Sequence, residues 1–143
     1  MLKFQLPSTP IANKIIERLK NITPVINETG EDVVKTLQQN IVNEGGDPDN
    51  GKAWEALSSR TIARKRQIGA FLTILRQFDK LRRGIKVVRQ EARSFDISVV
   101  GDASKYFYLH QTGAPNLPRR RMLGFPQECR KRAKLRLGKH LKK

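Results

Sequence analysis

His110 is the strongest candidate for catalytic chemistry, because Ser104 and Tyr106 lie six and four residues before it. A hydroxyl nucleophile needs a nearby base that a third group holds in place. The rest of an active-site constellation is missing from the sequence, and a hydrogen bond within a turn or at a subunit contact is the alternative interpretation of His110. Asp96 and Asp102 flank a predicted strand, where paired carboxylates could serve as acid and base or simply face water. We therefore predict no catalytic residue.

Potential metal and cofactor ligands are equally sparse. A zinc site clusters three or four cysteine, histidine or carboxylate ligands, whereas His110, His140 and Cys129 lack such spacing. Neither a P-loop nor a G-x-G-x-x-G motif is present to hold phosphates. Cys129 is the single cysteine, so no internal disulfide can form, and its place on an apolar stripe predicts a small core residue. The sequence predicts no metal and no cofactor.

Basic side chains form three clusters that could contact an anion. They are Arg64-Lys65-Arg66, then Arg82-Arg83 with Lys86 and Arg89, and finally Arg119-Arg120-Arg121 followed by Arg130-Lys131-Arg132. Such residues can neutralise phosphates without sequence specificity. A solvated face and contacts with an acidic neighbouring protein are the alternatives. Aromatic residues make up only 6% of the chain, which argues against a base-stacking surface.

The charge is distributed unevenly along the 143 residues, which carry a net +16. Residues 1–50 carry 5 basic and 7 acidic side chains (net −2), residues 51–117 carry 13 and 5 (net +8), and residues 118–143 carry 11 and 1 (net +10). The basic half implies an anionic partner, either nucleic acid or an acidic surface. No apolar run approaches the length of a signal peptide or a membrane span, so we expect a soluble protein without a membrane partner.

Helical periodicity dominates the first 45 residues. Ser8-Thr9-Pro10 predicts a helix start, and Ile11, Ile15, Leu19 and Ile22 then form an amphipathic stripe. Thr23-Pro24 repeats the start signal, and a second helix is predicted to end at Gly45-Gly46. A turn-rich loop over residues 46–51 and a short helix from the Ser58-Ser59 cap to about Gln67 should follow.

The second half predicts a small sheet and a terminal helix. Ile85 to Arg89 and the alternating Phe95, Ile97 and Val99 predict two strands joined as a hairpin. Residues 106–109 fit a strand or a helix. Beyond Pro126, Cys129, Ala133, Leu137 and Leu141 recur every four residues among basic side chains. The predicted class is α+β in a single domain over residues 1–143: a helical lead-in (1–45), a loop, short helix and small antiparallel sheet (46–125), and a basic C-terminal helix (126–143).

Five short pieces, in this order, resemble the phage virion morphogenesis family, the tail-completion proteins of Mu-like and related myophages. The pieces are Gly51-Lys52-Ala53-Trp54-Glu55-Ala56-Leu57-Ser58 with Thr61 and Lys65; Leu75, Leu81 and Ile85; Val99-Val100-Gly101; Tyr106 with His110-Gln111-Thr112-Gly113; and Pro118-Arg119 through Met122-Leu123-Gly124. Phe78-Asp79 stands where the family often has Thr-Gly. Arg121-Met122 replaces a frequent second proline and phenylalanine.

The resemblance implies a structural protein without enzymatic activity. It would complete the tail or join it to the filled head by binding copies of itself, as a ring-forming or neck-associated subunit, and neighbouring tail or neck proteins. It would reside in the virion and, during assembly, in the host bacterial cytoplasm. The family-signature or interface candidates are Trp54, Leu57, Ser58, Tyr106, His110, Gln111, Gly113, Pro118, Leu123 and Gly124. The alternative function is a basic nucleic-acid-binding protein, with possible contacts at Arg119, Arg120, Arg121, Arg130, Lys131 and Arg132.

Three of these pieces carry specific structural expectations. Trp54 should anchor its loop against the core or against a neighbouring subunit, since large aromatic side chains serve both purposes. Gly113 and Gly124 should permit backbone turns that a side chain would obstruct. The basic stretch from Pro118 to Gly124 is either a docking segment for a neighbour or a surface loop.

Overall fold

The computed structural model describes residues 10–143, and within them it confirms the α+β class. In chain order the elements are α1 (Pro10–Lys20), α2 (Thr23–Val42), α3 (Ser59–Gln67), α4 (Lys80–Gly84), β1 (Ile85–Gln90), β2 (Phe95–Val99), a 3₁₀ helix (Asp102–Lys105), α5 (Phe107–Thr112) and α6 (Gln127–Lys142).

Helix α2 is the central element of the core. Its residues Val33, Leu37 and Ile41 are at most 1% exposed, and they meet side chains from the sheet, the loops and α6. The same spacing of four residues that predicts the helix therefore also marks its buried face. The residues described as a helical lead-in thus include a principal part of the core.

The predicted hairpin is confirmed. Strands β1 and β2 pair antiparallel, with Ile85 opposite Val99, and a bulge between Val87 and Arg89 shifts the register. The backbone N–H of Glu91 donates to the carbonyl of Ser94 and closes the turn (2.9 Å). One face of this hairpin packs on α2, which gives the two strands the support that an isolated hairpin lacks in water.

Helix α6 returns across α2 and confirms the predicted C-terminal helix. Cys129 is fully buried at its start, as expected for a small core residue. Asp32 of α2 accepts two hydrogen bonds from Arg132, each of 2.9 Å, and a third from Arg136 of 3.0 Å. Near the C-terminal end of α6, Leu141 accepts a hydrogen bond at its carbonyl from the side chain of Arg18 in α1 (2.7 Å). Polar contacts thus fix α6 at both ends of its length.

Helix α1 forms as predicted, but its apolar stripe is not buried. Ile11, Ile15 and Leu19 are 72%, 38% and 43% exposed. The proposed Ser8-Thr9 cap lies outside the described residues. At the start of α2 the expected hydroxyl cap is absent, because the Thr23 hydroxyl donates to the carbonyl of Ala92 instead (3.3 Å).

The short elements around the sheet depend on tertiary contacts. Ser58 caps α3 as predicted, since its hydroxyl accepts from the N–H of Thr61 (3.2 Å). Residues 106–109, which fitted a strand or a helix, enter the helix α5. No sequence signal predicted α4, which has five residues.

Within residues 10–143, no helix combines the length and apolarity needed to cross a membrane.

Candidate functional site

The loop before Trp54 is joined to the segment before α6. The indole N–H of Trp54 donates to the carbonyl of Arg121 (2.9 Å), and the side chain is 8% exposed. Asp49 accepts from the backbone N–H of Phe125 (2.8 Å) and pairs with the Arg121 guanidinium. The core interpretation of Trp54 therefore agrees with its position, and the Arg121-Met122 departure is accommodated by these contacts.

Gln111 joins α5 to the same segment. Its side-chain oxygen accepts from the N–H groups of Met122 (3.0 Å) and Leu123 (3.1 Å), and its amide nitrogen donates to the carbonyl of Leu123 (2.9 Å). One glutamine thus satisfies three backbone groups that would otherwise need other partners. The side chain of Gln111 thus fixes the position of the segment 122–123 relative to α5.

Two glycines allow these segments to approach each other. Gly113 has φ +85°, and a Cβ there would lie 3.2 Å from the Cβ of Arg119. A Cβ on Gly124 would lie 2.7 Å from Oδ1 of Asp49 and 2.8 Å from Cγ of Pro48. Gly113 therefore permits a turn, as expected, whereas Gly124 is required by close packing against the loop 46–51.

Asp79 occupies the position at which the resemblance often has glycine, and its backbone shows why. Its φ is +62°, in the left-handed region that glycine adopts most readily and aspartate tolerates better than most residues. The carboxylate is 3% exposed and accepts from Nε of Arg76 and Nε of Arg82, each at 2.8 Å. Hydrogen bonds from Arg82, and further from Arg76, lower the pKa of Asp79 to about 2.

An open pocket of about 800 Å³ lies between α3, the loop before α4, α5 and the segment 116–120. Five of the ten signature candidates line it: Leu57, Ser58, Tyr106, His110 and Pro118. The other five, including Trp54 and Gln111, do not line it but belong to the chain segments that hold its walls together. The structure thus brings half of the signature candidates together around one concave surface, whereas Leu123 and Gly124 line a separate pocket.

Two cationic side chains of this pocket are buried. Lys65 is 7% exposed and Arg120 is 6% exposed. The Lys65 ammonium donates to the carbonyl of Thr73 (2.7 Å), and Arg120 donates to the carbonyls of Glu55 (2.9 Å) and Ala56 (3.2 Å). Over residues 10–143, neither cation has a carboxylate within 4.0 Å.

His110 shares this positive environment. Burial, and then the charges of Arg120 and Lys65, lower the pKa of His110 below its usual value of 6.5. Burial and Arg120 also lower the pKa of Lys65, while the more distant Glu44 opposes the shift. Nδ1 of His110 is buried, and none of the described residues provides it with a hydrogen-bond partner. The surroundings of His110 therefore favour the neutral imidazole, and its Nδ1 remains without a partner among the described residues.

The six candidate anion contacts divide into two groups. Arg120, Arg121 and Arg132 are engaged within the chain, by backbone carbonyls, Asp49 and Asp32 respectively. Arg119, Arg130 and Lys131 are exposed, although Nε of Arg119 donates to the carbonyl of Gln111 (3.1 Å) and Arg130 forms a long ion pair with Asp49 (4.0 Å). Arg120 is buried, and its guanidinium donates to the carbonyls of Glu55 and Ala56, so it is less accessible to a surface ligand than Arg119.

The candidate catalytic residues of the sequence analysis do not form a catalytic arrangement in the described structure. Asp96 and Asp102 are both exposed, and Asp102 forms only a long ion pair with Lys80 (3.5 Å). The rings of Tyr106 and His110 meet edge to face at 6.4 Å. The part of the chain that the structure describes holds no group of three or more potential metal ligands.

Sequence reasoning missed the roles of Lys65 and Asp79. Lys65 stood within a basic cluster that resembled a solvated surface, and Asp79 appeared only as a departure from the resemblance. The one available signal was that Lys65 stands at the spacing of the first signature piece. Its burial depends on carbonyls of residues 73 and 76, which only the folded loop presents.

A model of the phage virion morphogenesis family matches residues 8–142. The match includes α1 and α2, and thus extends the resemblance, which began near Asp47, over nearly the whole chain. No curated protein and no solved structure matches the chain.

Proposed function

The chain belongs to the phage virion morphogenesis family and thus acts in the assembly of a phage virion, and we propose that it completes the tail or joins it to the head. It would act through protein–protein contacts, without catalysis. One observation carries this proposal: five signature residues line an open pocket, and others, such as Trp54 and Gln111, hydrogen-bond neighbouring chain segments to each other instead of forming a set of reacting groups. Such a surface suits the recognition of a neighbouring tail or neck protein.

Exposed apolar side chains beside the pocket support a docking role. Phe78, which lines the pocket, is 51% exposed, and Phe71 and Leu72 of the same loop are 48% and 46% exposed. Monomeric soluble proteins seldom display several large apolar groups in one region unless the region binds something. These residues would lie at the contact with a neighbouring virion subunit.

The exposed stripe of α1 supports self-association. Ile11, Ile15 and Leu19 recur at helical spacing yet remain on the surface. An amphipathic helix obtains most of its stability from burying such a face. We propose that copies of the protein bury this stripe against each other, and that the resulting oligomer functions at the tail end or neck.

Removal of the gene from the phage or prophage tests the role in assembly. Electron microscopy should then show filled heads and separate tails, and the purified protein should restore joined particles when added to the lysate. Particles that join normally without the protein would contradict the proposal.

The change Ile15→Lys tests self-association, with Asn13→Lys as its matched control. Both variants add the same charge to an exposed position of α1, but only Ile15→Lys interrupts the apolar stripe. Sedimentation velocity should show that the native protein and Asn13→Lys form the same oligomer, whereas Ile15→Lys forms smaller species. Equal sedimentation of all three proteins would refute the role of α1.

Nonspecific DNA contact is the second candidate, and the accessible cations of α6 favour it. Arg130 and Lys131 lie on the surface of α6, which carries further lysines, and Arg119 lies on the surface of the segment before this helix. Binding to duplex DNA would weaken with salt by a log–log slope of about −0.9 for each phosphate contact. Replacement of these three residues by alanine should flatten the slope, and an unchanged slope would exclude them as the contact surface.

A further inference from the structure

The pocket contains two buried cations that no carboxylate of the described residues neutralises at ion-pair distance. Lys65 and Arg120 are both more than nine-tenths buried, and carbonyl dipoles are their only close partners over residues 10–143. Buried charges in folded proteins are normally paired, because desolvation of an isolated ion is costly. The carboxylates of Glu44 and Glu55 influence these cations only from beyond ion-pair distance. Glu55 also lines the pocket, but no carboxylate among the described residues forms an ion pair with either buried cation.

His110 adds a group that an anion would satisfy. Its buried Nδ1 is without a hydrogen-bond partner among the described residues, and it lines the same pocket as the two cations. A neutral imidazole can donate one hydrogen bond, and a protonated one can donate two. A carboxylate next to His110 would also favour its protonated form.

The walls of the pocket restrict the kind of anion. Leu57, Leu75, Leu81 and Leu117 line it, and its volume of about 800 Å³ has room for several side chains. The phosphates of duplex DNA lie on the outside of a stiff helix, so they cannot enter an apolar recess to reach buried cations. A flexible peptide that carries one carboxylate among apolar side chains fits both the charge and the walls.

A second copy of this chain is a poor source of that peptide. The chain carries a net +16, and Asp32, Asp49 and Asp79 are already engaged by arginines. The exposed Asp96 and Asp102 belong to β2 and the 3₁₀ helix, and not to a flexible segment that could enter a recess. We propose that the pocket binds a short acidic segment of a different virion protein, whose carboxylate lies beside Lys65, His110 and Arg120 while its apolar side chains contact the leucines. This inference rests on the proposed assembly role and specifies the chemistry of the partner.

Paired peptide pools test the proposal on the full chain. One pool contains acetylated, amidated tripeptides with glutamate at the centre and alanine, valine, leucine or phenylalanine on either side. The matched pool has glutamine at the centre. Nitrogen-15 NMR spectra should show that the glutamate pool shifts the amide signals of pocket residues such as Leu57 and Leu117. The glutamine pool should bind at least about tenfold more weakly, because charge-assisted hydrogen bonds are lost.

Two further measurements assign the binding to the proposed atoms. The glutamate pool should raise the pKa of His110, followed through its ring carbon signal, whereas the glutamine pool should not. Lys65→Met should weaken binding of the glutamate pool to the level of the glutamine pool. If Lys65→Met does not fold, the His110 titration in the native protein decides.

Three outcomes would overturn the proposal. They are equal binding of both pools, no binding of either pool, and a stronger effect of short duplex DNA than of the glutamate pool on the same pocket signals. Failure of the assembly role is separately visible, because it would appear as normal joining of heads and tails without the protein. If joining requires the protein but the acidic pool does not bind, the assembly role stands and the pocket proposal falls.

Discussion

Asp79 is the residue whose replacement gives the most direct test of the structure. The change Asp79→Asn removes the charge that holds Arg76 and Arg82 while it keeps a similar shape and a hydrogen-bond acceptor. Asparagine also tolerates the left-handed backbone found at φ +62°. Any loss of stability therefore reports on the carboxylate charge and not on backbone strain.

The size of the effect follows from the pKa of Asp79, which falls from 3.8 to about 2 on folding because Arg82 and Arg76 donate hydrogen bonds to it. This difference corresponds to about 2 kcal/mol of folding free energy. Because the folded pKa is the lower one, the contribution is fully present above pH 4–5, roughly one unit above the unfolded pKa, and disappears as the pH falls through about 2. Asp79→Asn should therefore be about 2 kcal/mol less stable than the native protein at pH 7 and nearly equal to it at pH 2.

Urea unfolding followed by the fluorescence of Trp54, the single tryptophan, provides the assay. Other carboxylates such as Asp32 titrate in both proteins, so the difference between the two curves isolates Asp79. Asp96→Asn is the matched control, because Asp96 is exposed and should change stability by less than about 0.5 kcal/mol. A difference that stays constant from pH 7 to pH 2 would show that the charge of Asp79 is not the cause.

Three further changes test the contacts around the pocket. Gln111→Ala should cost about 2–3 kcal/mol in urea unfolding, because it leaves the backbone groups of residues 122–123 without partners. Trp54→Phe should cost about 1–3 kcal/mol by circular dichroism, because the hydrogen bond to the carbonyl of Arg121 is lost and a gap remains. Cys129 should react with a thiol reagent only after urea is added, since it is fully buried and burial raises the pKa of its thiol.

The sequence predicted those elements that carry a strong local pattern. The stripe of α2, the alternation in β2 and the Ser58 cap each follow from the few residues that form them. The helix α4 could not be predicted in this way, since its five residues are too few for periodicity and it begins at the left-handed Asp79. The exposure of the apolar stripe of α1 could not be predicted either. Periodicity shows which residues share one face of a helix, but it does not show whether another part of the protein covers that face.

The sequence predicted which residues belong to the candidate site, but it did not predict how these residues contact each other. The five ordered pieces named His110, Gln111 and Trp54, yet nothing local indicates that Gln111 bonds to residues 122–123. Arg120 illustrates the limit most clearly. Its neighbours Arg119 and Arg121 are also arginines, and only the carbonyls of Glu55 and Ala56, 65 and 64 residues away, determine that it turns inward.

The charge of the chain is thus less available to partners than its total suggests. Asp32, Asp49 and Asp79 each engage at least two arginines, and in doing so they tie α6, the segment 121–125 and the loop before α4 to the rest of the fold.

A DNA-binding surface gains affinity from every phosphate that it neutralises, so arginines held by these aspartates weaken the nucleic-acid interpretation. A recess for an acidic peptide needs only two or three cations, provided that they are buried and lack an ion pair with a carboxylate, and Lys65 and Arg120 meet that condition among the described residues. Because many arginines are paired with aspartates inside the chain, a protein partner is favoured at the pocket. The exposed cations of α6 are then the residues that could still contact DNA.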